Sequence, residues 1–180
     1  MTTVKQHPLE NLQLVGTFHN NMIPLWPNIF VFPTLVVLKL TKLNVIDNIS
    51  VDLPSLKTLH LILVYFKNKD NFNKLLNGCP ILEDLQTHIF YVEQFHYIEE
   101  QVEGVWLKTL SKLVRANITT YERVGFKDQI QFATYILKNA PLLRVMKITV
   151  AEPSSSCQNA LEELKSCPRI SPKCKLSIVS

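Results

Sequence analysis

Cys157, Cys167 and Cys174 crowd the last part of a 180-residue chain, with Cys79 standing apart. Thiolates act as nucleophiles and metal ligands, so these positions are weighed first. Their spacing argues against both uses. No Cys-x-x-Cys pair occurs, and no histidine stands beside them to complete a tetrahedral zinc set. A Cys/His pair built with His60 or His88 needs a third orienting group and a cleft, and the sequence marks neither. Glu99, Glu100 and Glu103 are near neighbours on one stretch, which is not an acid/base geometry. The glycines, at 16, 78, 104 and 125, are too scattered for a phosphate-cradling loop. The sequence predicts no enzyme, no metal and no cofactor. Cys79 and Cys167, each before a proline, are expected to be small buried residues, and Cys174 to face the last layer of the core.

The composition is that of a globular chain, 47% apolar and 19% charged. A chain of this length buries roughly 70% of its unfolded surface and folds without staples. Its net charge is a mild +4. Lys108, Lys112 and Arg115 lie close together but form no dense basic run, so no nucleic-acid partner is expected. Residues 11–38 carry no Asp, Glu, Lys or Arg, yet Pro24, Pro27 and Pro33 break them too often for a membrane span. They are expected to form a buried strand, a loop and another buried strand. The opening MTTVKQHPLENLQLVG has no signal-peptide core, which predicts reduced thiols in the cytoplasm and/or nucleus. The sequons at Asn48 and Asn117 are read as chance.

What organises the chain is a recurring leucine triplet. Apolar anchors fall at 9, 12 and 14; 35, 38 and 40; 56, 59 and 61; 82 and 85, with Thr87 third; 113, 116 and 118; and 143, 146 and 148. First anchors are 26, 21, 26, 31 and 30 residues apart, and CKLSIV resembles a closing strand. L-x-x-L-x-L recurrence is the leucine-rich-repeat signature. The first anchor sits on the bend into a strand, and the other two share one strand face. Pro33, Pro54, Pro80 and Pro141 each lie two residues before a first anchor and turn the chain toward the sheet. DNFNKLLNGCP reads as a short helix with Asp70 as cap, Phe72, Leu75 and Leu76 inward, and Gly78 at a left-handed exit. FKDQIQFATYILKNAP repeats this with Asp128 as cap, and SSCQNALEELKSCP repeats it again. From Phe90 to Gly104 the pattern lapses into an expected extended excursion.

With these residues in hand, the chain resembles the plant F-box/FBD/leucine-rich-repeat proteins. VDLPSLKTLHLILVYF with LLNGCPILEDLQ, within residues 51–86, is similar to their repeat signature. LSKLVRANI, ILKNAPLLRVMKI and LKSCPRISPKCKL are similar to the recurrent segments of the FBD module. The fold expected is an irregular α/β leucine-rich-repeat solenoid, with parallel strands on the concave face and short helices on the convex face. Residues 9–105 would form the repeat region and residues 106–180 an FBD-like C-terminal cap. The resemblance implies target reception for a ubiquitin ligase. No F-box precedes Leu9 in this sequence, which leaves a Skp-type adaptor doubtful as a partner. It also leaves no room for a polar cap before the first strand. A ligase-uncoupled binder or decoy, and a truncated remnant, are therefore the alternatives.

Non-anchor strand positions should line the concave face and meet a protein target. They are Asn11 and Gln13; Val37, Lys39 and Thr41; Thr58, His60 and Ile62; Asp84, Gln86 and His88; Arg115, Asn117 and Thr119; and Val145, Lys147 and Thr149. Lys39, Thr58, His60, Asp84, Gln86, His88, Arg115, Asn117 and Lys147 are the candidate contacts.

Overall fold

Residues two apart on an extended chain share a face. The anchors obey that rule along the whole sheet. The computed structural model describes residues 8–16, 23–46, 48–67, 69–91, 110–121, 126–151 and 157–179. In chain order the strands are β1 (Asn11–Val15), β2 (Ile23–Pro24), β3 (Val37–Thr41), β4 (Leu43–Val45), β5 (Thr58–Phe66), β6 (Asp84–Tyr91), β7 (Arg115–Tyr121), β8 (Val145–Ala151) and β9 (Lys175–Val179). The helices are α1 (Lys69–Asn77), α2 (Phe126–Asn139) and α3 (Gln158–Ser166). All strand pairings are parallel, in the order β1-β3-β5-β6-β7-β8-β9. Beside that path β4 pairs with β5, and β2 with β4.

The register stacks anchor on anchor. Leu12, Leu38, Leu59, Leu85, Ala116, Met146 and Leu176 are successive partners, as are Leu14, Leu40, Leu61, Thr87, Ile118, Ile148 and Ile178. From β3 to β8 both rows are buried, Thr87 included. On the edge strands β1 and β9 they are half-buried. The helices cover this face: α1 packs on β5, and α2 on β7 and α3. Phe72 of α1 joins the layers, meeting Phe66 of β5 at 5.7 Å and Phe132 of α2 at 5.3 Å, both edge-to-face.

Entry to the strands is governed by one turn, used six times. The amide of the residue at the first-anchor position donates to the carbonyl three residues back: Leu35 to Phe32, Leu56 to Leu53, Leu82 to Cys79, Leu113 to Leu110, Leu143 to Ala140 and Cys174 to Ser171. The residue after each acceptor is Pro33, Pro54, Pro80, Ser111, Pro141 and Pro172. That is the turn position whose φ proline pre-sets, which explains the proline spacing. Pro172 extends the series to the last strand. There Cys174 takes the first-anchor place, but Leu176 and Ile178 follow one residue sooner than elsewhere.

Several expectations are corrected. Gly78 does not adopt a left-handed exit; a Cβ there would lie 2.3 Å from Val51 Cγ1, so it is needed for close approach. Asp70 and Asp128 sit inside the first turns of α1 and α2, where their charge favours the helix dipole, rather than before them as caps. Leu9 is 39% exposed, and Cys167 is only partly buried. β1 alternates exposed and half-buried residues because it lies at an end of the strand path and, among the described residues, has one partner. β6 runs on to Tyr91, beyond the expected lapse at Phe90, and the remainder of that excursion lies outside the described residues.

Leu59 is fully buried between two strands. Leu59→Asp should abolish cooperative unfolding, because an unpaired buried carboxylate costs well over about 4 kcal/mol. A thermal melt unchanged from wild type would refute its inward placement. Gly78→Ala should lower stability by about 1–3 kcal/mol through overpacking against Val51, read from urea denaturation midpoints.

Candidate functional site

The same parity that buries the anchors turns every candidate outward. Gln13, Lys39, His60, Gln86, Asn117, Lys147 and Ser177 are successive register partners across the sheet. Asn11, Val37, Thr58, Asp84, Arg115, Val145 and Lys175 form the adjoining row. Strands lie about 4.8 Å apart, so each row spans roughly 29 Å. Lys39, Thr58, His60, Asp84, Gln86, His88 and Asn117 are half-exposed, and Arg115 and Lys147 exposed. The fold thus brings all nine candidate contacts onto one face. The expected positions stopped at β8, so Lys175 and Ser177 were missed, and on β7 they stopped at Thr119, one step short of Tyr121. Alternation continued through CKLSIV would have found the first two.

At the centre, Asp84 stands between two strands. Arg115 Nε lies 3.2 Å from Asp84 Oδ2, and His60 Nε2 lies 3.9 Å from Oδ1. The longer distance exceeds hydrogen-bond range. Asp84 Oδ1 has no hydrogen-bond donor among the described residues. Burial is the largest influence on His60 and lowers its pKa from 6.5; Asp84 opposes this, while Lys39 and Arg115 add to it. Burial therefore favours the neutral imidazole of His60 over a salt-bridge cation. Beyond it His88 stacks on Tyr121, with ring centroids 5.0 Å apart, and burial lowers the His88 pKa as well. Lys57 and Glu83 pair at 3.2 Å on the strand-entry side, half exposed and so of small energetic weight.

Cys79 and Cys174 are held as thiols rather than thiolates. Burial pushes Cys79 up to about 12, and its Sγ donates to the Leu75 carbonyl at 3.0 Å. Burial also raises Cys174, with Arg169 opposing. Among the described residues no group of three His, Cys, Asp or Glu is placed to hold a metal, and no helix is long and apolar enough to cross a membrane.

Because His60 and His88 have lower pKa values folded than unfolded, the unfolded chain takes up protons first as pH falls. Stability is therefore fully present above 6.5 and is lost as pH drops through the folded values. Urea midpoints measured from about pH 7.5 to about pH 5 should fall, and His60→Gln with His88→Gln should flatten that slope. An Asp84→Asn variant should lower the His60 pKa further, read by NMR titration of the imidazole.

The repeat geometry has counterparts in known sequences. A family model for the LRR repeats of the FBD-associated F-box protein At5g56370 matches residues 2–158. The F-box/FBD/LRR-repeat proteins At5g25850 and At4g00160 of Arabidopsis thaliana are each 32% identical to the chain, over 75% and 72% of its length. The FBD-associated F-box protein At3g50710 of the same plant is 40% identical over 51% of the chain. These matches cover 25%, 26% and 21% of the relatives, so the chain spans about a quarter of their length. No solved structure matches. The stacked triplets and these relatives agree, and the chain belongs to the plant F-box/FBD/leucine-rich-repeat family.

Proposed function

We propose that the chain is a protein-binding module, the target-recognition part of an F-box-type ubiquitin-ligase receptor. On this reading its repeats form an irregular solenoid with the outward strand face concave, and residues 106–180 act as its FBD-like part. The face takes a protein target through Lys39, Thr58, His60, Asp84, Gln86, His88, Arg115, Asn117 and Lys147. The observation that carries the reading is the in-register row from Gln13 to Ser177. It presents donors and acceptors at regular steps, while the helices sit on the other side. Such a mixed polar surface suits protein recognition better than a small apolar ligand.

Replacing His60 and Gln86 together by Glu should leave the melt intact and weaken capture of the target from plant extract by about tenfold or more, the scale of a lost hot spot. Unchanged capture would remove the sheet-face reading. Recovery of a Skp-type adaptor and a cullin with the target supports the ligase context. A reproducible target without them would make the chain a ligase-uncoupled binder.

A further inference from the structure

Basic residues that form no run in the sequence are gathered by the fold at one end of the sheet. Segments 110–121, 140–151 and 167–179 contain no Asp or Glu, yet carry Lys112, Arg115, Arg144, Lys147, Arg169, Lys173 and Lys175. The pairing of β7, β8 and β9 sets Arg115, Val145 and Lys175 in one row, with Asn117, Lys147 and Ser177 in the next. Arg144 and Lys173 are exposed just before β8 and β9. Among the described residues, the ion pairs on this side of the sheet, Lys57–Glu83 at the strand entry and Asp84–Arg115 on the outward face, reach no further than β7. The helical side, by contrast, is charge-balanced, with Asp128, Glu162 and Glu163 against Lys127, Lys138 and Lys165. Apolar side chains stand among these cations: Leu142 is 50% exposed, Val145 43%, Ile170 53% and Val179 45%.

We infer that the outward side of β7, β8 and β9, with the turns entering β8 and β9, docks an acidic protein segment that carries interspersed apolar side chains. The inference rests on the sheet-face reading and names its partner's chemistry. Charge complementarity selects the acidic partner and speeds its encounter. The exposed aliphatic side chains select a protein over a nucleic acid, because a phosphate backbone gives Leu142 and Ile170 nothing to bury against. Single-stranded nucleic acids stack on aromatic rings, and the aromatic residue on these strands, Tyr121, is already stacked on His88.

The test uses the full chain and fluorescence anisotropy with a labelled peptide of repeated Glu-Glu-Leu units. A Gln-Gln-Leu peptide and a single-stranded oligonucleotide serve as comparators. The acidic peptide should bind about tenfold or more tighter than the Gln peptide, and its affinity should fall as salt is raised. Replacing Arg144, Lys147 and Lys175 together by Glu should remove that difference. Should this variant melt early, Arg144→Gln with Lys175→Gln replaces it and should still weaken binding severalfold. An oligonucleotide binding as tightly as the acidic peptide would overturn the proposal, as would an acidic peptide that fails to bind or binds the variants unchanged. The target captured through the sheet face separates the two readings. Its loss with His60→Glu/Gln86→Glu but retention with the basic-end variant leaves the sheet face standing and refutes the basic end. Retention with both refutes the sheet face itself.

Discussion

One carbonyl per repeat accepts the amides that bring in the next. The carbonyl of Glu10 takes the amides of Val36 and Val37, at 2.7 and 2.9 Å. Val36 does the same for Lys57 and Thr58, Lys57 for Glu83 and Asp84, Glu83 for Val114 and Arg115, and Val114 for Arg144 and Val145; Arg144 then receives Lys175. All six carbonyls belong to the residue just after the first anchor. The ladder is made of backbone alone, so it fixes register without depending on side-chain identity. A slip by one residue would send each anchor to the solvent side and each outward residue into the core. Everything else in the fold inherits its position from this contact.

The ladder also explains how uneven repeats can share an even sheet. First anchors are spaced by 21 to 31 residues, yet the rows stay in register because extra length is inserted between strand exit and the next turn. Two residues interrupt the regular ladder without ending it. Lys42 and Leu63 both adopt positive φ, 58° and 54°, and Lys42 donates its amide to the Ile62 carbonyl. Gly16 stands at the same distance from its first anchor, and a Cβ on it would lie 2.1 Å from the Lys42 carbonyl oxygen. Gly16 keeps an ordinary φ and is needed instead for close approach to the Lys42 backbone. β6 lacks the extra residue, so the β5–β6 register shifts between Ile62 and Val64. Neither Lys42 nor Leu63 is a residue that announces αL, which is why nothing in the sequence pointed to the bulge.

The local rules of the chain were legible, and the long-range ones were not. Period-2 alternation assigned Lys39, His60 and Gln86 outward and Leu38, Leu59 and Leu85 inward without any contact being known. The prolines gave the turns. Gly78 misled, because its role is contact with Val51, a residue far along the chain, rather than its own φ. The same limit hid the basic end of the sheet. Arg115, Lys147 and Lys175 lie in separate strand segments, and only the register makes them neighbours.

The division between inward and outward residues has a consequence for recognition. Backbone pairing and the anchors hold the sheet, so outward side chains can change with little effect on stability. What they share is an asymmetric field. The Asp84 carboxylate tempers the middle of the face through Arg115, whereas the strands beyond β7 are cationic with no carboxylate of their own. A partner lying across the strands would meet a polar, charge-balanced surface at one end and a basic, partly apolar one at the other. On the binding reading, only one direction of such a partner places its acidic end over Arg144, Lys147 and Lys175. The reverse leaves those cations opposite neutral groups, so the charge pattern orients what the hydrogen-bonding rows hold.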